Sequence, residues 1–157
     1  MVDLAALLTK RGVYLHEIAE VVHQLQKPFS PHLTLESCLE VVEGIIKKRE
    51  VQYNVLTGLA LDILAEENKL PDPLFQVILK DEPLYGVDEV LGLGIANIYG
   101  TIGTTSFGYL DKEKLGIIGK LNNNAINKIN TFLDDLVAGI AAAGSAKIAH
   151  NIKETDK

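Results

Sequence analysis

The sequence predicts an all-α fold, a helical bundle in which one helix made of small residues is surrounded by others. Apolar residues recur along most of the chain at the i, i+3, i+4 spacing of a helix, and no segment sustains the alternation of a strand. The stretch from Thr131 to His150 is apolar on every side when it is laid on a helix. A helix without a polar stripe needs neighbours all round it, which places this one at the centre.

Glycine and proline residues divide the first half of the chain into helices. Gly12 ends the first helix, the prolines at 28 and 31 end the second, and Thr34 is placed to cap the third. A fourth helix follows the basic residues 47–49, and Asp72 and Pro73 are typical of the start of a short fifth one. The predicted helices are Val2–Lys10, Leu15–Gln26, Leu35 to about Ile46, Val51–Glu67 and a short helix ending at Lys80.

Glycine becomes frequent in the second half, and the predictions change with it. Val87–Ile98 reads as a small-residue helix, whereas the glycine-rich part beyond Tyr99 is expected to be a loop or a broken helix. A polar turn at 122–124 precedes the terminal helix, which is expected to begin near Ile126. Residues 1–150 are predicted to form a single domain, and residues 151–157 a frayed, charged tail.

The amino-acid composition limits which kinds of partner the protein can bind and in which cellular compartment it is expected. With 15 basic and 21 acidic residues the net charge is −6, which argues against nucleic acid as a partner. The single cysteine, Cys38, lies on an apolar stripe and cannot form an internal disulfide. Since the sequence also shows no signal-peptide pattern, we expect a cytoplasmic protein. No apolar run reaches the roughly 20 residues of a transmembrane helix. A hydrophobic fraction of 47% predicts a homo-oligomer interface or, at most, peripheral membrane contact.

Two pairs of acidic residues lie on predicted helices that otherwise consist of small and apolar residues. Asp88 and Glu89 open one of these helices, Asp134 and Asp135 lie near the start of the terminal one, and Asp111 falls between them in the chain. Oxygen ligands without matching histidine or cysteine favour magnesium, or manganese, over zinc or iron. Two structural alternatives remain open: a capping box from Thr131 to Asp134, and a helix-start charge at Asp88.

A rival constellation lies near the front of the chain. His16, Glu20 and His23 share a helix face, and Glu20 to His23 fits Glu-x-x-His, but a di-iron bundle needs a second copy of that motif and the sequence has none. These side chains are therefore predicted to be solvated. The glycines and threonines of 100–104 are a weak signal for an anion-binding nest, because no Walker lysine follows.

Three blocks, in order along the chain, resemble the phosphatidylglycerophosphatase A family of magnesium-dependent lipid phosphatases. The family carries Asp-Glu followed by a glycine, then Phe-Arg-x-x-Asp-x-x-Lys-Pro-x-Pro, then Asp-Asp-x-x-Ala-Gly. The corresponding blocks here are Asp88-Glu89-Val90-Leu91-Gly92, Phe107 to Leu115, and Asp134-Asp135-Leu136-Val137-Ala138-Gly139. The resemblance covers roughly residues 51–150 and looks closest to the soluble YutG-like branch, which implies a bundle with one central helix.

The chain also departs from the family pattern. Gly108 stands in place of the arginine, Leu115 and Ile117 replace the prolines, and the family's early Pro-Gly-Thr-x-Gly-Thr block has no clear counterpart. The membrane-spanning segments of the lipid phosphatases are absent as well. The resemblance therefore carries over a metal site more readily than a substrate.

What the resemblance implies is a magnesium-dependent phosphomonoesterase acting on a phosphorylated lipid or a small phosphate ester. It implies metal ligation by Glu89, Asp111 and Asp134, with Asp88 and Asp135 as further catalytic carboxylates. Lys114 would neutralise the phosphate of the substrate. The alternatives are a non-catalytic helical oligomer and a binding protein for a phosphorylated ligand, either of which would retain the acidic cluster.

Overall fold

A computed structural model describes residues 2–123 and 128–155, with side chains as far as residue 151. The described residues form helices joined by short turns and contain no strand, which confirms the predicted all-α class. The helices are α1 (Leu4–Lys10), α2 (Leu15–Gln26), α3 (Leu35–Ile45), α4 (Arg49–Glu66), α5 (Leu74–Lys80), α6 (Val87–Ala96), α7 (Thr101–Glu113), α8 (Ile117–Asn122) and α9 (Leu133–Thr155).

Helix α9 is the centre of the bundle, as predicted. Helices α2, α3, α4, α6, α7 and α8 all pack against it. Every residue from Asn130 to Ala146 is buried, because a helix whose sides are all apolar or small has no face to give to solvent. The helix continues to Thr155, through much of the predicted tail, while residues 156 and 157 lie outside the described residues.

Local sequence signals account for several helix boundaries in the first half. The Asp3 carboxylate accepts a hydrogen bond from the Ala6 N–H and begins α1. The Thr34 hydroxyl accepts one from the Ser37 N–H and caps α3, as its position predicts. Helix α5 differs from its prediction, because Pro73 stands at its N-cap position and no side chain caps it.

Of the two alternatives expected beyond Tyr99, the broken helix is confirmed and the loop is wrong. That part of the chain forms α7 and α8 with an interruption at residues 114–116, and Gly100 is the N-cap of α7, which begins at Thr101. Gly103 lies inside α7, where it faces the end of α6. There is no room for a side chain at this position, because an added Cβ atom would fall on the Ala96 carbonyl oxygen. These glycines permit close helix packing.

The terminal helix also begins later than predicted. Residues 128–132 are not helical and α9 starts at Leu133, whereas Ile126, the predicted start, lies outside the described residues, as does Asn124 of the predicted polar turn. Across residues 2–123 and 128–155, no helix is both long and apolar enough to cross a bilayer.

Candidate metal centre

Two glycines set the distance between the acidic pairs. Gly92 follows Asp88 by four residues on α6, and Gly139 follows Asp135 by four on α9. An added Cβ at Gly92 would lie 2.5 Å from the Asp135 carbonyl oxygen and 2.7 Å from a ring carbon of Phe107. Residues four apart share one helix face, so this close crossing brings Asp88 and Asp135 together at the same end of the bundle.

The third contribution comes from the end of α7. Asp111 lies in the last turn of this helix, and Lys114 follows it at the C-cap in the left-handed conformation, with φ of 51°. The ammonium group of Lys114 lies 3.5 Å from Asp111 Oδ1 and 3.4 Å from Asp134 Oδ2. Lys114 therefore links the end of α7 to the beginning of α9.

These side chains line one open cavity of about 300 Å³. The lining residues are Asp81, Glu82, Pro83, Asp88, Glu89, Asp111, Lys114, Asn122, Asp134 and Asp135. All six residues to which the sequence assigns a functional role are among them, so the fold brings together groups that are widely separated in the chain. Their individual roles, metal ligation included, stay predictions.

Negative charge exceeds positive charge in the cavity, and the pKa values respond to this. Burial, the charge of Asp134 and hydrogen bonds with the carboxyl groups of Asp88 and Asp111 all raise the pKa of Asp135. Burial also raises the pKa of Asp134, although Lys114 opposes this shift. For Glu89, burial comes first and the charges of Asp111 and Asp88 add to it, so its pKa is raised as well.

The pKa of Lys114 shifts in the direction that suits an anion-binding group. Burial alone would lower it, but the carboxylates of Asp134, Asp111 and Asp135 outweigh burial and raise it. Lys114 therefore carries its full charge at neutral pH. Of the described residues that line the cavity, it is the one cation.

The donor chemistry of the cavity fits a hard divalent cation. Seven carboxyl groups are among the described residues that line it, and carboxylate oxygens are the ligands that magnesium and manganese prefer. Within the described residues, however, no three acidic, histidine or cysteine side chains already stand in a coordinating arrangement. Glu89, Asp111 and Asp134 would hold such an ion, with Asp88 and Asp135 beside them.

The structure identifies one functional candidate and one supporting residue that the sequence reading missed. Asp81, at the end of α5, lines the cavity, and burial followed by the charge of Asp88 raises its pKa. Asp62 of α4 is fully buried and accepts hydrogen bonds from the N–H groups of Phe132 at 3.1 Å and Leu133 at 3.0 Å. Asp62 could have been noticed, because it is the only charged residue between Glu50 and Glu66.

Asp62 also bears on the capping alternative for Asp134. The Thr131 hydroxyl donates to the Ile78 carbonyl oxygen, and the free N–H groups at the start of α9 are bound by Asp62. The start of α9 is thus capped by Asp62 of α4. The carboxylate of Asp134 instead accepts hydrogen bonds from the Lys114 ammonium group and from the N–H of Asp135. Asp88 lies in the first turn of α6, as the helix-start alternative requires, and it also lines the cavity, so the two roles are compatible.

The rival constellation on α2 does not assemble into a site. His16 and Glu20 are exposed, and the His16 ring stacks on Tyr14 with 5.7 Å between ring centroids. His23 is half-buried, with its Nε2 atom 3.0 Å from the Leu33 carbonyl oxygen. His16 and Glu20 are thus solvent-exposed, as predicted, whereas His23 contacts the backbone and is only partly solvated.

Comparison with known proteins gives a consistent assignment. The profile of the phosphatidylglycerophosphatase A family (PgpA) matches residues 7–150. The chain is 53% identical to the uncharacterized protein YpjQ of Bacillus subtilis over 96% of this chain and 85% of that protein. It is 49% identical to the uncharacterized protein YutG of the same organism, over 96% of this chain and 91% of that protein.

A solved structure of another protein has the same fold. The low temperature requirement C protein from Listeria monocytogenes superimposes with a TM-score of 0.92 at 48% identity, covering 95% of this chain and 94% of that one. The family match extends over nearly the whole chain and includes the three acidic blocks that line the cavity. The chain belongs to the phosphatidylglycerophosphatase A family.

Proposed function

We propose that the protein is a magnesium-dependent phosphomonoesterase that acts on the phosphorylated head group of a lipid or on a smaller soluble phosphate ester. The observation that carries this proposal is the cavity in which carboxyl groups from α6, α7 and α9 surround the Lys114 ammonium group. Family membership supports a phosphatase role in lipid metabolism. We propose further that the protein works in the cytoplasm.

The cavity suits a phosphate and a few further polar atoms. Its lining is polar, and a second cavity of about 150 Å³ continues from Asp81, Asn122 and Asp134 towards Lys128 and Asn130. A polar alcohol such as a glycerol unit fits these surroundings, whereas an acyl chain would have to remain outside. The head group is therefore the part of a substrate that the site would recognise.

The reaction is a hydrolysis in which the oxygen of a water molecule forms a bond to phosphorus while the ester P–O bond breaks. The leaving oxygen keeps the bonding electron pair and takes up a proton, giving an alcohol and inorganic phosphate. Asp135, whose raised pKa retains a proton, is suited to donate it to the leaving oxygen, and the proton that the attacking water loses on bonding to phosphorus returns to Asp135 through solvent. Lys114 offsets the phosphate charge, and a bound magnesium ion would polarise the phosphoryl oxygens.

Phosphate release from purified protein tests this proposal directly. With millimolar magnesium we expect turnover of para-nitrophenyl phosphate, glycerol 3-phosphate or dioctanoyl phosphatidylglycerophosphate, and none with EDTA. Asp135→Asn should abolish turnover with the fold retained, because an amide cannot replace the proton donor. The matched control is His16→Gln with His23→Gln, which should keep full activity. No release from any of the three substrates would instead favour a phospho-ligand-binding or purely structural protein.

Metal binding can be tested independently of turnover. Magnesium or manganese should raise the melting temperature, because an ion that binds only the folded protein stabilises it by about 2.7 kcal/mol at a hundredfold excess over Kd. Asp134→Asn should abolish the shift, while His16→Gln should preserve it. If the melting temperature of the wild type does not respond to millimolar metal, the cavity does not bind a divalent ion.

A further inference from the structure

Arg11 and Glu66 form an ion pair that lies outside the candidate site but binds the part of the chain that leads into it. Arg11 is the C-cap of α1, and Glu66 is the last residue of α4. Arg11 Nη1 lies 2.9 Å from Glu66 Oε2 and Arg11 Nη2 lies 2.7 Å from Oε1, so both carboxylate oxygens are engaged. The two side chains are only 10% and 20% exposed. Neither of them lines the two cavities of the candidate site.

The same pair also binds residues 129 and 130, just before α9. Glu66 Oε1 accepts a hydrogen bond from the Ile129 N–H at 2.7 Å, and Arg11 Nη2 donates to the Ile129 carbonyl oxygen at 2.8 Å. Both polar main-chain groups of Ile129 are therefore bound by side chains that are distant in the sequence. Arg11 Nη2 also lies 3.2 Å from Asn130 Oδ1, which fixes the orientation of the Asn130 amide.

Asn130 connects the ion pair to the candidate metal centre. Its carbonyl oxygen accepts a hydrogen bond from the Asp134 N–H at 3.4 Å, and its Nδ2 atom donates to the Leu121 carbonyl oxygen at 3.3 Å. Asn130 is buried and lines the second cavity together with Asp134. A short series of hydrogen bonds thus leads from Arg11 through Asn130 to a residue that is predicted to bind the metal.

Overall stability is a poor explanation for this arrangement. Removing two charges from water costs about as much free energy as their attraction returns, so a buried ion pair adds little net stability. Arg11 Nε is also buried, and no group among the described residues accepts a hydrogen bond from it, which adds a further cost. What the planar guanidinium group supplies is a fixed geometry, because its N–H groups point at set angles towards several acceptors.

We propose that Arg11 and Glu66 are positioning residues that hold Asp134 in place for the divalent metal. This inference rests on the proposed function, in which Asp134 is a metal ligand. The pair fixes residues 129 and 130, and these fix the start of α9. Its role is distinct from that of Asp62, which binds N–H groups further along at the helix start.

Magnesium binding and turnover test the role of Arg11. Arg11→Met keeps the apolar stem and loses every donor, so we expect the dissociation constant for magnesium to rise about tenfold and kcat to fall about tenfold. KM for para-nitrophenyl phosphate should stay within about threefold of the wild type, because Lys114 is held at the end of α7 rather than by residues 129 and 130. A variant that was merely less stable would not separate kcat from KM in this way.

Two further variants and a matched control complete this test. Arg11→Met combined with Glu66→Met should be no worse than either change alone, because the two residues act as one unit. Arg11→Lys keeps the charge but not the fork of donors, so it should recover thermal stability without recovering magnesium affinity. The control is Lys69→Met, which breaks the neighbouring ion pair of Lys69 with Glu67. Both partners of that pair are exposed, so its loss should change neither value.

Amide hydrogen exchange tests the placement of α9 without metal or substrate. In Arg11→Met the N–H groups of Asp134 and Asp135 should gain at least about tenfold more in exchange rate than those of α2, because the start of α9 opens locally. An equal rise throughout the protein would overturn the proposal, as would magnesium binding that Arg11→Met leaves unchanged. A wild type that neither binds magnesium nor releases phosphate would instead refute the proposed function, and amide exchange would then decide the positioning role by itself.

Discussion

Gly139→Ala is expected to lower the free energy of unfolding by about 3 kcal/mol and to remove the proposed phosphatase activity, because the new methyl group would fall on the Gly92 carbonyl oxygen. The nearest atoms are all backbone atoms of α6, so no side chain can rotate away to make room. Helices α6 and α9 would have to separate. That movement would draw Asp88 away from Asp135 and widen the candidate metal centre.

Urea unfolding and magnesium-dependent phosphate release measure the two parts of this prediction. Gly108→Ala is the matched control, since Gly108 lies inside α7 and a Cβ atom there meets nothing within 4 Å. Alanine should maintain activity at this position and raise stability by up to about 1 kcal/mol through its helix propensity. Equal behaviour of the two variants would mean that the crossing of α6 and α9 does not set the geometry of the site.

Local sequence patterns predict helix boundaries well, but they do not predict the role of a glycine in helix packing. The boundaries of α2 agree with the periodicity of its apolar residues, Leu15–Gln26, because that signal is local. Gly103 belongs to the glycine-rich stretch for which a loop or a broken helix is predicted, whereas it lies inside α7 and lets that helix approach the end of α6. A glycine in a loop and a glycine in a close helix contact look alike in a sequence, and only the tertiary contact separates them.

Residues of the candidate site could be predicted where a charged side chain stands in an otherwise apolar stretch of sequence. Asp134 and Asp135 stand out on a helix that is otherwise apolar, so their convergence with other charged groups could be inferred. Asp81 gave no such signal, because it follows a short helix at an exposed position in the chain. The hydrogen bonds of Asp135 with Asp88 and Asp111 depend on how three helices meet, which no local pattern encodes.

Asp62 holds the start of α9 in place, and its loss should be costly. Asp62→Ala would leave the N–H groups of Phe132 and Leu133 buried without acceptors, and we expect a loss of about 3 kcal/mol in the free energy of unfolding. The start of α9 carries Asp134 and Asp135, so the magnesium-induced rise in melting temperature should shrink as well. Asp62→Asn, which keeps an acceptor oxygen, should recover most of both properties, and equal losses in the two variants would contradict a capping role.

The pH dependence of the same residue provides an independent check. Burial raises the pKa of Asp62 from its ordinary value of 3.8 to about 8, against the opposing effect of the N–H groups of Phe132 and Leu133. The folded protein thus keeps a proton that the unfolded chain releases near pH 3.8. The contribution of this carboxyl to stability is therefore complete below the unfolded pKa and declines as pH rises towards the folded one.

Asp62→Asn cannot ionise and should not show this decline. The variant should therefore gain stability relative to the wild type between about pH 4 and about pH 8, as measured by urea unfolding at intervals of pH. A constant difference between the two proteins over this range would show that Asp62 is ionised when folded. In that case the N–H groups of α9, rather than a retained proton, would be what stabilises the buried carboxylate.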